Sequence, residues 1–580
     1  MDINKENVDR LPEEHGPVTP LAGLKNIDLA SFVAVALLGV FVVTLVTVYF
    51  YPIYPDEIQV RFWLSRLPYD FPYKISGAPA CISTFFQSIP ATMYVPALIN
   101  WLVHGMIETA PALRVVGIFV ALLWVAALTV YLNYRAEQHL ICGPDSVAPA
   151  RQRLYISGFV IALFSAGVFP VFLTSNRNEQ LMLPSLAALA GIFILSRRLE
   201  ENGRAWQKVA LMAAYFISVS LVLYGHAKGL FFVPFFILVG WQVFGRAYGF
   251  PAFIAAMALL GLHVVQDYSI LKASFKCPEV PAQEALFSSF SFDPVSIFYS
   301  PGRFFDQAYH SVKEFPKYVY QLGFQERTDI AYLPGLRVTP AAMAANLFIK
   351  LNFALVFFIL LFRLPFNYYK RDLALKRFIT ANSALLALFA CGLISAVFNL
   401  PKNWYDAGFA YALLLIILVF FVGENSPDVF QKTGVKRLFL YVGLAALLSQ
   451  AVFIKRNLPI FLIGYAGPRV PIAKYDTKKL EADILAASRT CNIDLVHSEK
   501  LVVDDYTYLY LRKTKWPMAI TYIVLANTFK AVTEFLSKSD SDGMIVNCSK
   551  WVEPYKLVVK REGDICCIPR EGLKKLPASR

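Results

Sequence analysis

The chain has 580 residues, of which 57% are hydrophobic, 15% aromatic and only 17% charged, with a formal net charge of +14. A mean hydropathy of +0.50 excludes an ordinary soluble domain and is that of a polytopic membrane protein. The basic residues are spread through short segments between apolar runs, which argues for membrane orientation and against a nucleic-acid partner.

Residues 1–27 are polar and slightly acidic, without the short apolar core and cleavage site of a secretory signal peptide. They are expected to be a cytoplasmic leader, and the first apolar run a signal anchor. A helix crosses hydrocarbon with roughly 17–25 apolar residues. Eleven runs meet that length: 28–51, 111–133, 155–174, 180–196, 208–225, 229–245, 250–267, 341–363, 378–400, 407–423 and 436–454. The stretch 89–107 reads as an interfacial helix or as a further span.

Short basic connections at 196–208, 363–377 and 432–437 are expected to be cytoplasmic. Eleven crossings then place segments 52–110, 174–180, 225–229, 268–340 and 401–406, and the tail, on the outer face.

In the first outer segment, "YPDEIQVRFW" sets Asp56 and Glu57 directly after a span, with Arg61 behind them. Two readings are open. Pro55 can begin a helix whose first turn the two carboxylates stabilise through the dipole. Alternatively, one carboxylate is a base at the membrane interface and the other supports it, since adjacent helical residues point about 100° apart. Other outer segments also carry charge at the membrane edge: Arg177 and Glu179 in "TSNRNEQ", His226 and Lys228 in "YGHAKGL", and Lys402, Tyr405 and Asp406 in "PKNWYDAG". Each alone suits a snorkelling cation or an interfacial aromatic. Several on one face suggest a polar cavity, because ionisable groups at membrane depth are costly.

The long outer segment holds "RFFDQAYHSVKEFPKYVYQLGF" at 303–324, where Tyr309, His310, Lys313 and Tyr318 suit an amphipathic helix on the membrane surface. It reads either as a structural interfacial helix or as an acceptor-binding one. The tail, 456–580, changes character. It alternates apolar and polar residues in 494–514 and 555–569, with a helix predicted at 477–488, and reads as an outer soluble α/β domain. Cys491, Cys548, Cys566 and Cys567 lie there, where an oxidising compartment allows a disulfide. Connectivity is not derivable from spacing, and the single sequon at 547–549 is no more than chance supplies.

Four of these motifs occur in an order and on a side that resemble the GT-C superfamily of integral-membrane glycosyltransferases. The protein O-mannosyltransferase and lipid A aminoarabinose transferase branches are the most similar. The motifs are "PDE" at Pro55–Glu57, Arg177 with Glu179 opening a span, Lys228–Gly229 at an outer helix start, and Lys402 with Tyr405 before a late span. The resemblance covers 28–455. It departs from the family pattern at Glu179, where Asp is commoner, at Leu230 in place of Pro, and at "AGFAYA" after the tyrosine. These departures leave the sugar open, and the tail resembles nothing nameable.

The expected fold is therefore a polytopic α-helical membrane protein of about eleven transmembrane helices. Its GT-C-like catalytic domain spans 28–455, with outer loops 52–110 and 268–340, and a C-terminal outer α/β domain follows at 456–580.

The resemblance implies an inverting transfer of sugar from a polyprenyl-phosphate donor to a glycan, lipid or protein acceptor on the outer face, the periplasmic side of a bacterial inner membrane. Asp56 or Glu57 would be the base. Arg177, Lys228, Lys402 and His226 would hold the leaving phosphate, with Glu179, Tyr405 and Arg61 supporting. No cofactor is required by this chemistry; a divalent metal, with His226 as a ligand, is compatible with it. The rival expectation is a transporter or flippase of lipid-linked sugars. Such proteins often show repeated halves and interrupted helices, and the sequence shows no internal repeat. A non-catalytic scaffold is the third reading.

Overall fold

Backbone in hydrocarbon must satisfy its own N–H and C=O groups, so the apolar runs form helices. The computed structural model describes residues 28–49, 110–138, 149–175, 178–223, 226–275, 296–320, 322–324, 339–398, 404–426, 433–463, 477–495, 501–504, 541–552 and 559–576, with isolated positions between and beside them. The leader 1–27, the carboxylate segment 52–63 and all of 89–107 except Leu102 lie outside the described residues.

The helices are α1 (Leu29–Tyr49), α2 (Ala110–Glu137), α3 (Pro149–Phe164), α4 (Phe169–Thr174), α5 (Asn178–Asn202), α6 (Ala205–Leu223), α7 (Val233–Gly240), α8 (Phe250–Phe275), α9 (Pro301–Tyr320), α10 (Pro340–Asn367), α11 (Ala381–Phe398), α12 (Trp404–Asn425) and α13 (Thr433–Ile463). Among the described residues, nine helical stretches are long and apolar enough to cross a membrane. The chain is a polytopic membrane protein. The central span is Tyr405–Asn425, 83% buried where the other eight are 33–50% buried. It packs against α2, α5, α10 and α11.

Two expected spans take another form. The run 250–267 lies in α8, whose strongly apolar part is Phe250–Leu262. The run 155–174 is not one helix but α3 and α4, separated by a break at Ser165–Val168. Gly167 turns the chain there with φ +56°, and a Cβ on it would stand 2.0 Å from the Leu322 carbonyl oxygen. Only glycine tolerates that approach. Buried partners satisfy the backbone groups that the break frees. Tyr411 donates its hydroxyl to Leu163 O at 2.9 Å, Gly167 N donates to Ser449 Oγ at 2.9 Å, and Val168 N donates to Leu322 O at 2.9 Å. Non-helical backbone at membrane depth is tolerated when buried in protein in this way.

Leu322 follows the amphipathic helix α9, which forms at 301–320 as its pattern predicts. Phe304, Ser311 and Val319 are buried against the bundle, whereas Phe305, Tyr309 and Val312 are exposed. Ser311 Oγ donates to Ala396 O at 3.3 Å, and the Phe304 and Phe398 rings are 5.2 Å apart. Asn346 of α10 brackets Phe324, accepting from its N–H at 2.6 Å and donating to its carbonyl at 2.8 Å.

At the far end of α12, Glu424 accepts from Arg198 at 2.9 Å, Arg135 at 3.0 Å and the Tyr131 hydroxyl at 2.9 Å. Asp372, also at that end, accepts from Thr380 at 2.7 Å and from Asn382 at 2.9 Å. The start of α1 is tied to the start of α13 by Asp28, which pairs with Lys436 and accepts from Tyr155 at 2.7 Å. Burial acts to raise the Asp28 carboxyl, but its bonds from Lys436, Tyr155 and Ser31 together hold it well below the usual carboxylate range.

In the tail, α14 (Thr477–Thr490) and five strands form a small α/β layer structure. The strands are β1 (Leu501–Val503), β2 (Met518–Ala519), β3 (Gly543–Asn547), β4 (Lys560–Glu562) and β5 (Ile565–Pro569), in the order β2-β1-β3-β5-β4. β2, β1 and β3 run parallel, and β5 lies antiparallel to both β3 and β4. The strand period of two turns adjacent Cys566 and Cys567 to opposite faces. Cys567 pairs with Cys491 on the face covered by α14. Cys566 pairs with Cys548 on the face covered by Trp551 and Leu573. Each face therefore carries one disulfide.

Candidate functional site

The turn "HAKG" enters the bundle through one tight winding. His226 caps the 3-10 segment Ala227–Phe232, its Nδ1 accepting from Lys228 N at 3.1 Å. A neutral His226 therefore carries its ring proton on Nε2. Gly229 has no room for a side chain, since a Cβ would stand 2.5 Å from Val222 O. The "KG" pair is thus a packing requirement as well as a charge: the glycine lets the segment close on the end of α6, and the lysine is turned inward.

The inward-turned Lys228 is 4% exposed. Its Nζ meets Asp406 Oδ1 at 2.7 Å, and Asp406 is itself mostly buried in the first turn of α12. The Tyr405 and Phe409 ring centroids stand 5.9 Å and 5.4 Å from Nζ. This is an ion pair with aromatic walls, where a lone ammonium would cost several kcal/mol in desolvation. The cleft beside it, walled by Phe315, Gly392, Ser395 and Phe409, has a cavity volume of about 20 Å³, the room of one water molecule. Phe315 comes from the amphipathic helix α9, so that helix closes one wall of the site.

Of the site residues expected from sequence, the structure brings His226, Lys228 and Tyr405 together. Asp56, Glu57, Arg61, Arg177 and Lys402 lie outside the described residues. Glu179 lies in the first turn of α5, but its side chain is also outside them. Among the described residues no group of three or more His, Cys, Asp or Glu side chains is arranged to hold a metal ion. The residue whose role sequence reasoning missed is Asp406. It stands 178 positions from Lys228, and its local signal was that of one more charge at the membrane edge, with nothing to relate it to the lysine. Ser395 and Phe315, from α11 and α9, carried no signal for the site.

The two ends of the bundle differ in charge. Lys228 and Asp406 sit at the starts of their helices, and Arg135, Arg198 and Arg371 gather at the other end of α12, around Glu424 and Asn425. No protein-family model matches this chain, and no curated protein is similar to it.

Proposed function

We propose that this protein is an inverting glycosyltransferase of GT-C type, moving a sugar from a polyprenyl-phosphate donor to a glycan, lipid or protein acceptor at the outer membrane face. The observation that carries the reading is the buried Lys228–Asp406 pair, which keeps a fixed cation at membrane depth beside a cleft and aromatic walls. A desolvated lysine of this kind suits the charge that develops on a departing phosphate.

The acceptor hydroxyl or amine attacks the anomeric carbon from the face opposite the phosphate, giving inversion. The bond between the anomeric carbon and the phosphate oxygen breaks, and its electron pair leaves with the lipid phosphate. Asp56 takes the acceptor proton, with Glu57 and Arg61 orienting it, or the two carboxylates exchange roles. Lys228 exchanges its Asp406 partner for the phosphate, joined by His226 through Nε2–H and by Arg177 and Lys402. Glu179 and Tyr405 support that cation set. A divalent metal would be an accessory to this scheme, since the leaving group is a single phosphate.

The basic residues around Glu424 support an inner, cytoplasmic position for that end and an outer one for Lys228. The tail's two disulfides support an oxidising compartment such as the bacterial periplasm. The break between α3 and α4 is a feature that a transporter of lipid-linked sugars would share. Here the freed backbone groups bond to Tyr411, Ser449 and Leu322 rather than line a substrate-sized cavity, which favours the transferase.

The test is transfer from a radiolabelled panel of polyprenyl-phosphate sugars, in membranes holding wild type, Asp56→Asn or Lys228→Ala. Transfer by wild type and its loss in the folded variants is expected. Equal transfer by both variants, or protein-dependent lipid flipping in vesicles without transfer, overturns the proposal.

A further inference from the structure

The end of α12 that holds Glu424 also carries a turn built almost wholly of exposed cations and apolar side chains. Between Arg363 and Phe378 the chain has five basic residues, Arg363, Lys370, Arg371, Lys376 and Arg377, and one acid, Asp372. Asp372 is turned inward and buried, accepting from Thr380 and Asn382. Among the described residues no carboxylate stands within ion-pair distance of the five cations. Arg371 meets the Glu424 backbone carbonyl at 3.5 Å and the Asn425 amide oxygen at 3.3 Å. Tyr369, Leu375 and Phe378 project among the cations, each 62–70% exposed, and Lys370 lies over the Phe366 ring at 4.8 Å.

The turn is preformed. α10 passes without a break into a π-helical segment, Tyr368–Leu373. Arg377 N donates to Asp372 O at 2.8 Å, and the Tyr368 hydroxyl donates to Phe378 O at 3.1 Å. Lys376 takes φ 53°, a left-handed conformation that glycine adopts at less cost. Helix length sets the depth of this turn. The helical stretch Pro340–Leu373 has 34 residues, about 51 Å at 1.5 Å per residue, against about 30 Å of hydrocarbon. Its apolar run starts beside Pro340 and ends near Leu364, so the last turns stand in the headgroup layer. Membrane orientation alone accounts for basic residues beside a span, but not for the apolar side chains that project with them. That mixture suits a surface whose charges meet headgroups while its apolar groups enter the acyl layer beneath.

We infer that the turn 369–378 seats anionic phospholipid headgroups of the leaflet at this end of the bundle. Lys370, Lys376 and Arg377 meet the lipid phosphates, while Tyr369, Leu375 and Phe378 enter the acyl layer beside them. The site is at the opposite end of α12 from Lys228 and is independent of the proposed transfer chemistry.

The experiment uses the purified full-length chain as wild type, Arg377→Gln, and a triple variant with Lys370→Gln, Lys376→Gln and Arg377→Gln. Arg204→Gln, an exposed cation on a different connection, is the control. Binding is measured by native mass spectrometry with phosphatidylglycerol, phosphatidylcholine, inorganic phosphate or a polyglutamate peptide as probe. Wild type is expected to retain phosphatidylglycerol over phosphatidylcholine. Each charge removed should weaken phosphatidylglycerol binding about fivefold, and the triple variant on the order of a hundredfold. Arg204→Gln should bind as wild type does. No preference for phosphatidylglycerol in wild type overturns the assignment, whether or not the variants fold. So does an unchanged preference in the triple variant, or a loss in Arg204→Gln as large as in Arg377→Gln. Displacement of the lipid by inorganic phosphate at equal concentration would make the ligand a free anion. Tighter binding of the peptide than of the lipid would make the partner an acidic protein, and either result overturns the lipid site.

Discussion

The two ends of α12 solve the same problem differently. Each buries an acid, Asp406 at one end and Glu424 at the other. Glu424 is held by two arginines and a tyrosine drawn from two other helices. Asp406 meets Lys228 in an ion pair beside a cleft. A carboxylate with three donors is locked, because giving up one leaves the rest in place. A carboxylate–ammonium pair that opens on a cleft can admit a second anion to the same cation. The first arrangement suits a clamp between helices, and the second suits a binding site.

The largest effect should come from breaking the Lys228–Asp406 pair. Lys228→Ala is expected to lower transfer by about two to three orders of magnitude, as removal of a charge-stabilising donor does. It should also destabilise the bundle by about 3–5 kcal/mol, because Asp406 is left buried without this partner. Lys228→Ala combined with Asp406→Ala should regain much of that stability, read as melting temperature, without regaining transfer. Recovery of both would reduce the pair to a structural strut.

Which end faces the oxidising side is sharpened by the tail. Non-reducing peptide mapping should find Cys491 joined to Cys567 and Cys548 to Cys566. Replacing either pair by serine should cost about 2–4 kcal/mol of tail stability. Free thiols in protein freshly isolated from membranes would reverse the orientation.

The lock at Glu424 predicts a smaller, purely structural effect. Glu424→Gln should lose about 1–3 kcal/mol while transfer per folded molecule is unchanged. A fall in specific activity of the kind expected for Lys228→Ala would erase the distinction between the ends.

The smallest effect is that of acid on Asp28. Its folded carboxyl is held below the unfolded value of about 3.9, so its contribution is complete above that value and is lost as pH falls through the folded one. The melting-temperature gap between wild type and Asp28→Asn should be constant from about pH 7 to 5 and narrow below about pH 4. A gap that widens in acid would contradict the Lys436 pairing.

Much of this architecture was legible from hydropathy alone, because a span must be a run of apolar residues about as long as the membrane is thick. The spans that begin at Leu29, Ala381 and Tyr405 read directly. The break at Ser165–Val168 did not, since "LFSAGVFPVFL" is apolar throughout, and only Gly167 and Pro170 punctuate it. In the tail, α14 was visible as an amphipathic period, but β3 was not, because burial on both faces removes alternation. Adjacent cysteines on a strand must face opposite ways, so that two separate bridges leave Cys566 and Cys567 is a consequence of the pleat; their partners depend on the fold. At the candidate site the charged turns were visible as local anomalies. The pairing of Lys228 with Asp406 was not, since no local rule relates positions that far apart.

The junction at Leu322 has a mechanical consequence. One carbonyl there accepts the Val168 N–H, and Asn346 anchors the chain two residues further on. The surface helix α9 is thus a lever with its fulcrum inside the bundle. Its Phe315 arm reaches the cleft beside Lys228, and its pivot bears on the short helix that leads, in sequence, toward Arg177. A molecule that tilts the arm would press on the cleft wall and on the base of that short helix together, so the two would be geared to one motion.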